Sequence, residues 1–152
     1  MEILLIYVYL GLSDANVAWV RVWEDNFNWN GGVDLDKWNF DVGGSGWDNG
    51  EIDLMEQVGY DPLRIHSTVY TQAYDHMNGN QPTNSIIVDD ATSSFKIYTL
   101  DWNVDKIETF VGDETSPFAN RILVWNKQDD WAQWPFDKPF FVLINIAVGG
   151  DW

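Results

Sequence analysis

The sequence of 152 residues predicts an all-β protein, an antiparallel sandwich of short strands. Apolar runs of strand length recur along the chain, and clusters of Gly, Asn and Asp separate them. Few windows show the 3.6-residue periodicity of an amphipathic helix. Aromatic residues make up 16% of the chain and include ten Trp, so a single domain of this length has enough apolar side chains for a core.

The N-terminal region carries an apolar run at residues 3–12. Ten apolar residues are too few to span a bilayer but match the core of a signal peptide, and Ser13 and Ala15 fit the small-residue rule for cleavage. We therefore expect a signal peptide at 1–15, a mature domain at 16–152 and a secreted protein. The segment has an acidic second residue and no Lys or Arg, which leaves a buried strand or a gene-model artefact as the alternative.

The later strands follow in order, with turn signals between them. Residues 31–50 and the stretch DHMNGNQPTNS from residue 75 are predicted to be loops, and a helical turn within IDLMEQV is the disfavoured alternative to a strand there. The strands are predicted in WVRVWED from residue 19, EIDLME from 51, IHSTVYT from 65, a hairpin over 95–114 with its turn at NVDK, and FFVLINIAVGG from 140.

Charge and composition exclude several classes of partner. The net charge of −16 repels phosphate backbones and anionic lipid, so neither nucleic acid nor a membrane is an expected partner, whereas a neutral ligand fits. The chain has no Cys and two His, which argues against a thiolate, zinc or iron site. The sequence therefore predicts no metal and no cofactor.

The stretch GEIDLMEQVG, residues 50–59, carries three acids at uneven spacing: Glu51, Asp53 and Glu56. In a regular strand the first two share one face and the third lies on the other. A β-bulge at Leu54 or Met55 would bring all three to one face, and bulges are common beside active sites.

Three carboxyl groups on one face cannot all ionise cheaply, so at least one pKa is expected to rise. A protonated carboxyl beside an ionised one is the equipment of a glycosidase, and a separation of about 5 Å implies retention of configuration. The spacing alone leaves a solvated acidic face equally open. An EF-hand calcium loop is disfavoured because Glu56 occupies the position that requires Gly.

The same residues resemble the catalytic signature of glycoside hydrolase family 16, in its laminarinase-like branch with a bulge. The resemblance extends to VWEDNFNW, HSTVYTQAYDHM, the hairpin at 95–114 and WPFDKPFFVLINIAVGGDW. It implies a β-jelly-roll sandwich of the concanavalin A-like type with an open glycan cleft. It also implies an enzyme that cuts internal β-1,3 or mixed β-1,3/1,4 linkages of a neutral β-glucan with retention.

Carried over residue by residue, the resemblance makes Glu51 the nucleophile, Asp53 its assisting acid and Glu56 the general acid/base. Five residues are expected to contact substrate: Trp134, His66, Asn49, Asn145 and Trp47. Ordinary packing is the alternative for each Trp, a turn role for each Asn, and a satisfied position in a sheet for His66.

Three departures from the family pattern are present. GWDNGE runs directly into GEIDLME, as if a block of strands had been excised, and the sequence ends before the family's closing strand. Tyr70 stands where the family usually has His. We therefore expect an incomplete sandwich with uncovered edges and apolar surface. A non-catalytic β-glucan-binding module, or an inactive truncated paralogue, is the alternative to an active enzyme.

Overall fold

The structure is a computed structural model that describes residues 6–10, 20–28, 31–40 and 49–150. The chain divides into two compact units, residues 1–45 and 46–152. All strand pairs of the described residues are antiparallel, and these residues form no α-helix. None of them therefore belongs to a helix that could cross a membrane. The all-β, antiparallel prediction is confirmed.

The first unit contains a two-stranded sheet, β1 (Ile6–Leu10) and β2 (Val20–Asp25). Asp25 at the end of β2 is buried, accepts a hydrogen bond from the indole Nε1 of Trp38 at 2.7 Å, and accepts another from the Phe27 amide. The backbone at 6–10 thus takes the strand conformation that the sequence left as an alternative to a leader. Cleavage at residue 15 and a single domain over 16–152 stay predictions.

The second unit contains two three-stranded sheets. The first has the order β3 (Glu51–Glu56), β4 (Arg64–Tyr70), β5 (Thr83–Ile87). The second has the order β6 (Ile97–Trp102), β7 (Lys106–Asp113), β8 (Ser116–Asn126). Strands β3 and β4 and the β6–β7 hairpin lie where the sequence predicted them.

The two sheets of this unit face each other across a core. Alternate residues of the central strands β4 and β7 point inward, as their period-two pattern requires. Val69 of β4 packs with Ile107 of β7 in one cluster, and Ile65 packs with Val111 in a second. All four side chains are at most 1% exposed, so the opposite face of β4 is left for other residues.

Two strands were not predicted. Strand β5 begins at Thr83, inside the stretch expected to be a loop, and β8 was not recognised although its eleven residues make it the longest strand. Strand β5 contributes the partly buried Ile86 to the second core cluster. The side-chain Nδ2 of Asn84 donates to the Ile122 carbonyl of β8 at 2.7 Å. These contacts, distant in sequence, stabilise β5 despite its polar start.

The strand predicted from residue 140 is wrong. Residues 139–150 form no strand and pair with neither sheet, and residues 141–150 are exposed. The side chains of Ile146 and Val148 are 92% and 97% exposed. A strand takes its backbone hydrogen bonds from a neighbouring strand, and no such neighbour lies beside this segment among the described residues.

Candidate active site

A β-bulge reshapes β3 where the acids lie. Between Asp53 and Glu56 the pairing of β3 with β4 shifts, so that Leu54 and Met55 together oppose the single residue Ser67. The Ser67 hydroxyl donates to the Asp53 carbonyl at 2.7 Å and holds the bulged backbone. The bulge predicted from the uneven spacing is confirmed at the predicted residues.

The bulge places all three carboxyl groups on one face of the sheet. Glu51 lies opposite Tyr70 and its side chain is hydrogen-bonded to that of Asp53. The Thr68 hydroxyl, opposite Asp53 in the register, donates a long hydrogen bond of 3.5 Å to Glu56 Oε2. The inner face of β4 is occupied by core residues, so the acids lie on the face away from the core.

Burial and mutual repulsion change the proton affinity of two acids. Burial, then the charges of Glu56 and Glu51, raises the pKa of the Asp53 carboxyl to about 8. The hydrogen bond to Glu51 acts in the same direction, since it favours an Asp53 that carries the proton and donates it. Burial and the charge of Glu51 also raise the pKa of Glu56, and the Thr68 hydrogen bond opposes that rise. Asp53 therefore retains its proton at neutral pH.

Tyr70 completes the polar face and was not predicted as a site residue. Burial, then the charges of Glu56, Asp53 and Glu51, raises the pKa of its phenol to about 12, so the hydroxyl stays protonated near the acids. Its position could have been found from sequence. Tyr70 follows His66 and Thr68 at two-residue steps on β4, which is the strand that pairs with the acidic one.

Gly50 fixes the entry of the chain into β3. Its φ of +82° lies in the left-handed region that favours glycine. A Cβ on this residue would lie 2.6 Å from Pro135 Cγ and 2.9 Å from a ring carbon of Phe136, closer than real contacts allow. The absence of a side chain therefore permits both the turn and the close packing directly before Glu51.

Trp134 is a core residue, which corrects its prediction as a sugar-stacking side chain. It is 3% exposed and packs edge-on against Phe136 with ring centroids 5.3 Å apart. Its indole Nε1 donates to Asp137 Oδ1 at 3.3 Å. After β8 the chain turns at residues 130–134 and inserts this side chain into the cluster with Val69, so no ring face is left for a ligand.

The other predicted substrate residues have different positions. His66 is half-buried and lies opposite Glu56 on the face that carries the acids. Asn49 is exposed and its Oδ1 accepts a hydrogen bond from Lys138 Nζ at 3.0 Å. Asn145 is exposed in the unpaired segment, and Trp47 lies outside the described residues. Contact of these residues with substrate stays a prediction.

The described acidic side chains do not form a metal-binding cluster. Among the described residues, no group of three or more His, Asp or Glu side chains is arranged to hold a metal ion. Burial and neighbouring charges raise the pKa values of Asp53 and Glu56.

Comparison with known proteins identifies the family. Residues 32–152 match the family described as glycosyl hydrolases family 16. The chain belongs to glycosyl hydrolases family 16. This agrees with the resemblance of the sequence around the acids, and it confirms the jelly-roll class of the sandwich.

Two relatives and one complex illustrate the similarity. A β-glucanase of Rhodothermus marinus is 29% identical over 227 aligned residues, which take in 92% of this chain and 79% of the relative. The solved laminarinase of the same organism is 35% identical with a TM-score of 0.55, over 66% of this chain and 41% of that one. A variant of a non-specific endo-β-1,3(4)-glucanase is 32% identical with a TM-score of 0.55, over 62% and 35% of the two chains, and presents 1,3-β-D-cellobiosyl-glucose at its active site.

The chain is shorter than these relatives. It spans 41% of the solved laminarinase and 35% of the solved glucanase variant. The alignment with the β-glucanase is longer than this chain, so that relative contains residues without a counterpart here. This agrees with the block whose absence the sequence predicted.

Proposed function

We propose that the protein is a retaining endo-β-glucan hydrolase that acts on internal β-1,3 or mixed β-1,3/1,4 linkages. The observation that carries the proposal is the bulge between Asp53 and Glu56, which gathers three carboxyl groups on one sheet face. Membership of family 16 and the solved relatives named as laminarinase and endo-β-1,3(4)-glucanase support the substrate class.

Each acid has a distinct role in the proposed reaction. The Glu51 carboxylate attacks the anomeric carbon while protonated Glu56 donates its proton to the glycosidic oxygen, which leaves with the rest of the chain. In the second step the Glu56 carboxylate takes a proton from water, and that water displaces Glu51 from the anomeric carbon. Two inversions at one carbon give retention. The raised pKa of Glu56 suits a group that must begin as an acid.

Asp53 assists without touching the glycosidic oxygen. Its raised pKa keeps a proton that it donates to Glu51, so Glu51 is oriented by a hydrogen bond and two adjacent negative charges are avoided. Asp53 hence serves as a positioning acid for the nucleophile.

The substrate is proposed to be a neutral polysaccharide. A net charge of −16 disfavours anionic polymers, and the face beside the acids carries the phenol of Tyr70 and the imidazole of His66. A secreted protein would meet such a polymer, and the apolar run at 3–12 supports secretion.

Substitution of the nucleophile tests the proposal. Glu51→Gln keeps the size of the side chain and removes the attacking carboxylate, so laminarin hydrolysis, measured as reducing ends, should fall by at least ~1,000-fold. Glu114→Gln, at an exposed glutamate in the turn between β7 and β8, is the matched control and should leave the rate unchanged.

Two results would contradict the proposal. Hydrolysis at the parental rate in Glu51→Gln would remove Glu51 from the reaction. Retention of the parent protein on insoluble β-1,3-glucan with no release of reducing ends would instead favour a glucan-binding module.

A further inference from the structure

Two threonine hydroxyls connect Glu56 to the neighbouring strand β5. Thr68 Oγ1 lies 3.5 Å from Glu56 Oε2 and 3.0 Å from Thr83 Oγ1. Thr83 Oγ1 lies 3.3 Å from the carbonyl oxygen of Ser67. Thr68 is opposite Thr83 in the register of β4 and β5, so strand pairing holds the two oxygen atoms together. We call the hydroxyls of Thr68 and Thr83, between Glu56 and the Ser67 carbonyl, the hydroxyl row.

The hydroxyl row has three contacts and only two hydroxyl hydrogens to fill them. A threonine hydroxyl carries one hydrogen and also accepts through its oxygen, whereas a backbone carbonyl oxygen only accepts. The contacts join Glu56 to Thr68, Thr68 to Thr83, and Thr83 to Ser67. The two hydrogens can therefore fill either the two contacts nearer Glu56 or the two contacts nearer the carbonyl.

The charge of Glu56 decides between the two arrangements. When Glu56 is ionised, Thr83 donates to Thr68 and Thr68 donates to the carboxylate, because a hydrogen bond to a charged acceptor is stronger than one to a neutral acceptor. When Glu56 carries a proton, that preference is lost. Thr68 then donates to Thr83, and Thr83 donates to the Ser67 carbonyl, over distances of 3.0 and 3.3 Å that are shorter than the 3.5 Å to Glu56.

The burial of Thr68 makes its hydroxyl dependent on these partners. Thr68 is 3% exposed, so water has little access to it. Strand β5 supplies no ionisable side chain, because its five residues are Thr, Asn, Ser and two Ile. The partner of Thr68 on this side is therefore a neutral hydroxyl, which donates or accepts as the charge of Glu56 requires.

We propose that Thr68 and Thr83 are positioning residues for Glu56, and that the hydrogens of the hydroxyl row point towards Glu56 when it is ionised and towards the Ser67 carbonyl when it is protonated. The role of this row in catalysis rests on the proposed function, in which Glu56 donates a proton in the first step and accepts one in the second. Rotation of two hydrogens then meets both changes of charge, without movement of the heavier atoms around the carboxyl group.

Other ionisable groups lie on or beside the same face as Glu56. They are Glu51 and Asp53 of β3, Arg64, His66 and Tyr70 of β4, and Asp61, which pairs with Arg64. The variants below keep all of these groups and remove only hydroxyls. A change in the titration of Glu56 therefore reports on the hydroxyl row.

Carbon-13 NMR of the Glu56 carboxyl as a function of pH tests the proposal without any use of enzyme activity. Glu56→Gln assigns the signal by removing it. Thr68→Val should raise the pKa of Glu56 by at least ~0.3 pH units, because the carboxylate loses its donor. Thr83→Val should lower that pKa, because the protonated form loses two hydrogen bonds of the row while the ionised form keeps the bond from Thr68.

Three variants serve as controls. Thr99→Val removes a hydroxyl from β6 in the other sheet, where it donates to the Pro117 carbonyl at 3.1 Å, and should leave the pKa of Glu56 unchanged. Thr68→Ser and Thr83→Ser keep the hydroxyls and should give the parental value. Thr83 is exposed, so Thr83→Val decides the proposal even where Thr68→Val, at a buried position, fails to fold.

The pH dependence of hydrolysis supplies the catalytic readout. Glu56 must be protonated in the first step, so the alkaline limb of kcat/KM on laminarin should follow the two opposite changes in its pKa. A parent protein without hydrolysis would refute the proposed function, whereas the carboxyl titration would still decide whether the hydroxyl row acts on Glu56.

Three results would overturn the proposal. One is a parental pKa of Glu56 in both Thr68→Val and Thr83→Val. Another is a change in the same direction in both variants, which would indicate altered packing rather than a reversal of donors. The third is a change of equal size in Thr99→Val.

Discussion

Strand β4 and the C-terminal segment, residues 139–150, both have residue types that favour strands, but their structures differ. Both are rich in β-branched and aromatic residues, yet Arg64–Tyr70 forms the centre of a sheet and residues 139–150 form no strand. β4 has strands on both sides and a second sheet against its inner face, whereas residues 139–150 have no strand partner among the described residues and contact the core cluster through Phe140. β propensity therefore supplies a candidate strand, and neighbouring strands and packed surfaces decide whether it forms.

The largest expected contrast between these regions lies in the free energy of unfolding. Trp134→Ala removes a 3% exposed side chain from the core cluster around β4 and should destabilise the protein by about 3–5 kcal/mol. Ile146→Ala removes a side chain that is 92% exposed and should change stability by less than about 0.5 kcal/mol. Urea denaturation at low protein concentration measures both values, and equal losses would refute the contrast.

Substitution of Gly50, directly before β3, should have a smaller effect on the free energy of unfolding. Gly50→Ala should destabilise by about 2–4 kcal/mol, because it adds overpacking against Pro135 and Phe136 to the strain of a positive φ. Gly79 also has a positive φ but nothing lies within 4 Å of a Cβ there. Gly79→Ala should therefore cost only about 1 kcal/mol. Similar costs in thermal or urea unfolding would show that packing at Gly50 is unimportant.

A separate contrast is the pH dependence of stability that the acids impose on the face of β3 and β4. The pKa of Asp53 is raised from 3.8 to about 8, so between these values the folded chain holds a proton that the unfolded chain has lost. Stability should therefore fall as the pH rises from about 4 to 8 and level off above 8. Asp53→Asn should flatten part of this fall, and the raised pKa of Glu56 should leave the rest.

Urea midpoints at several pH values measure that slope. Asp129→Asn, at an exposed aspartate beyond β8, is the control and should keep the parental slope. A parental slope in Asp53→Asn would contradict the assignment of the retained proton to Asp53.

The local sequence pattern was sufficient to predict which side chains share the face of the candidate site. The two-residue period of a strand places Glu51 and Asp53 together, and the offset of Glu56 requires an inserted residue, so the bulge followed from spacing. The same period on β4 places His66, Thr68 and Tyr70 beside the acids. The pKa shifts needed the structure, because they depend on how deeply the carboxyl groups are buried.

The sequence by itself determined the strands with strong alternation, the order of the acids along β3 and the family, because these depend on residues close together in the chain. The tertiary structure decided that Trp134 lies in the core, that β5 and β8 join the sheets and that residues 139–150 pair with no described strand. Each of these outcomes depends on which distant segments supply a covering surface or a hydrogen-bonding edge. Such partners are set by the packing of the whole unit and have no signal within the segment itself.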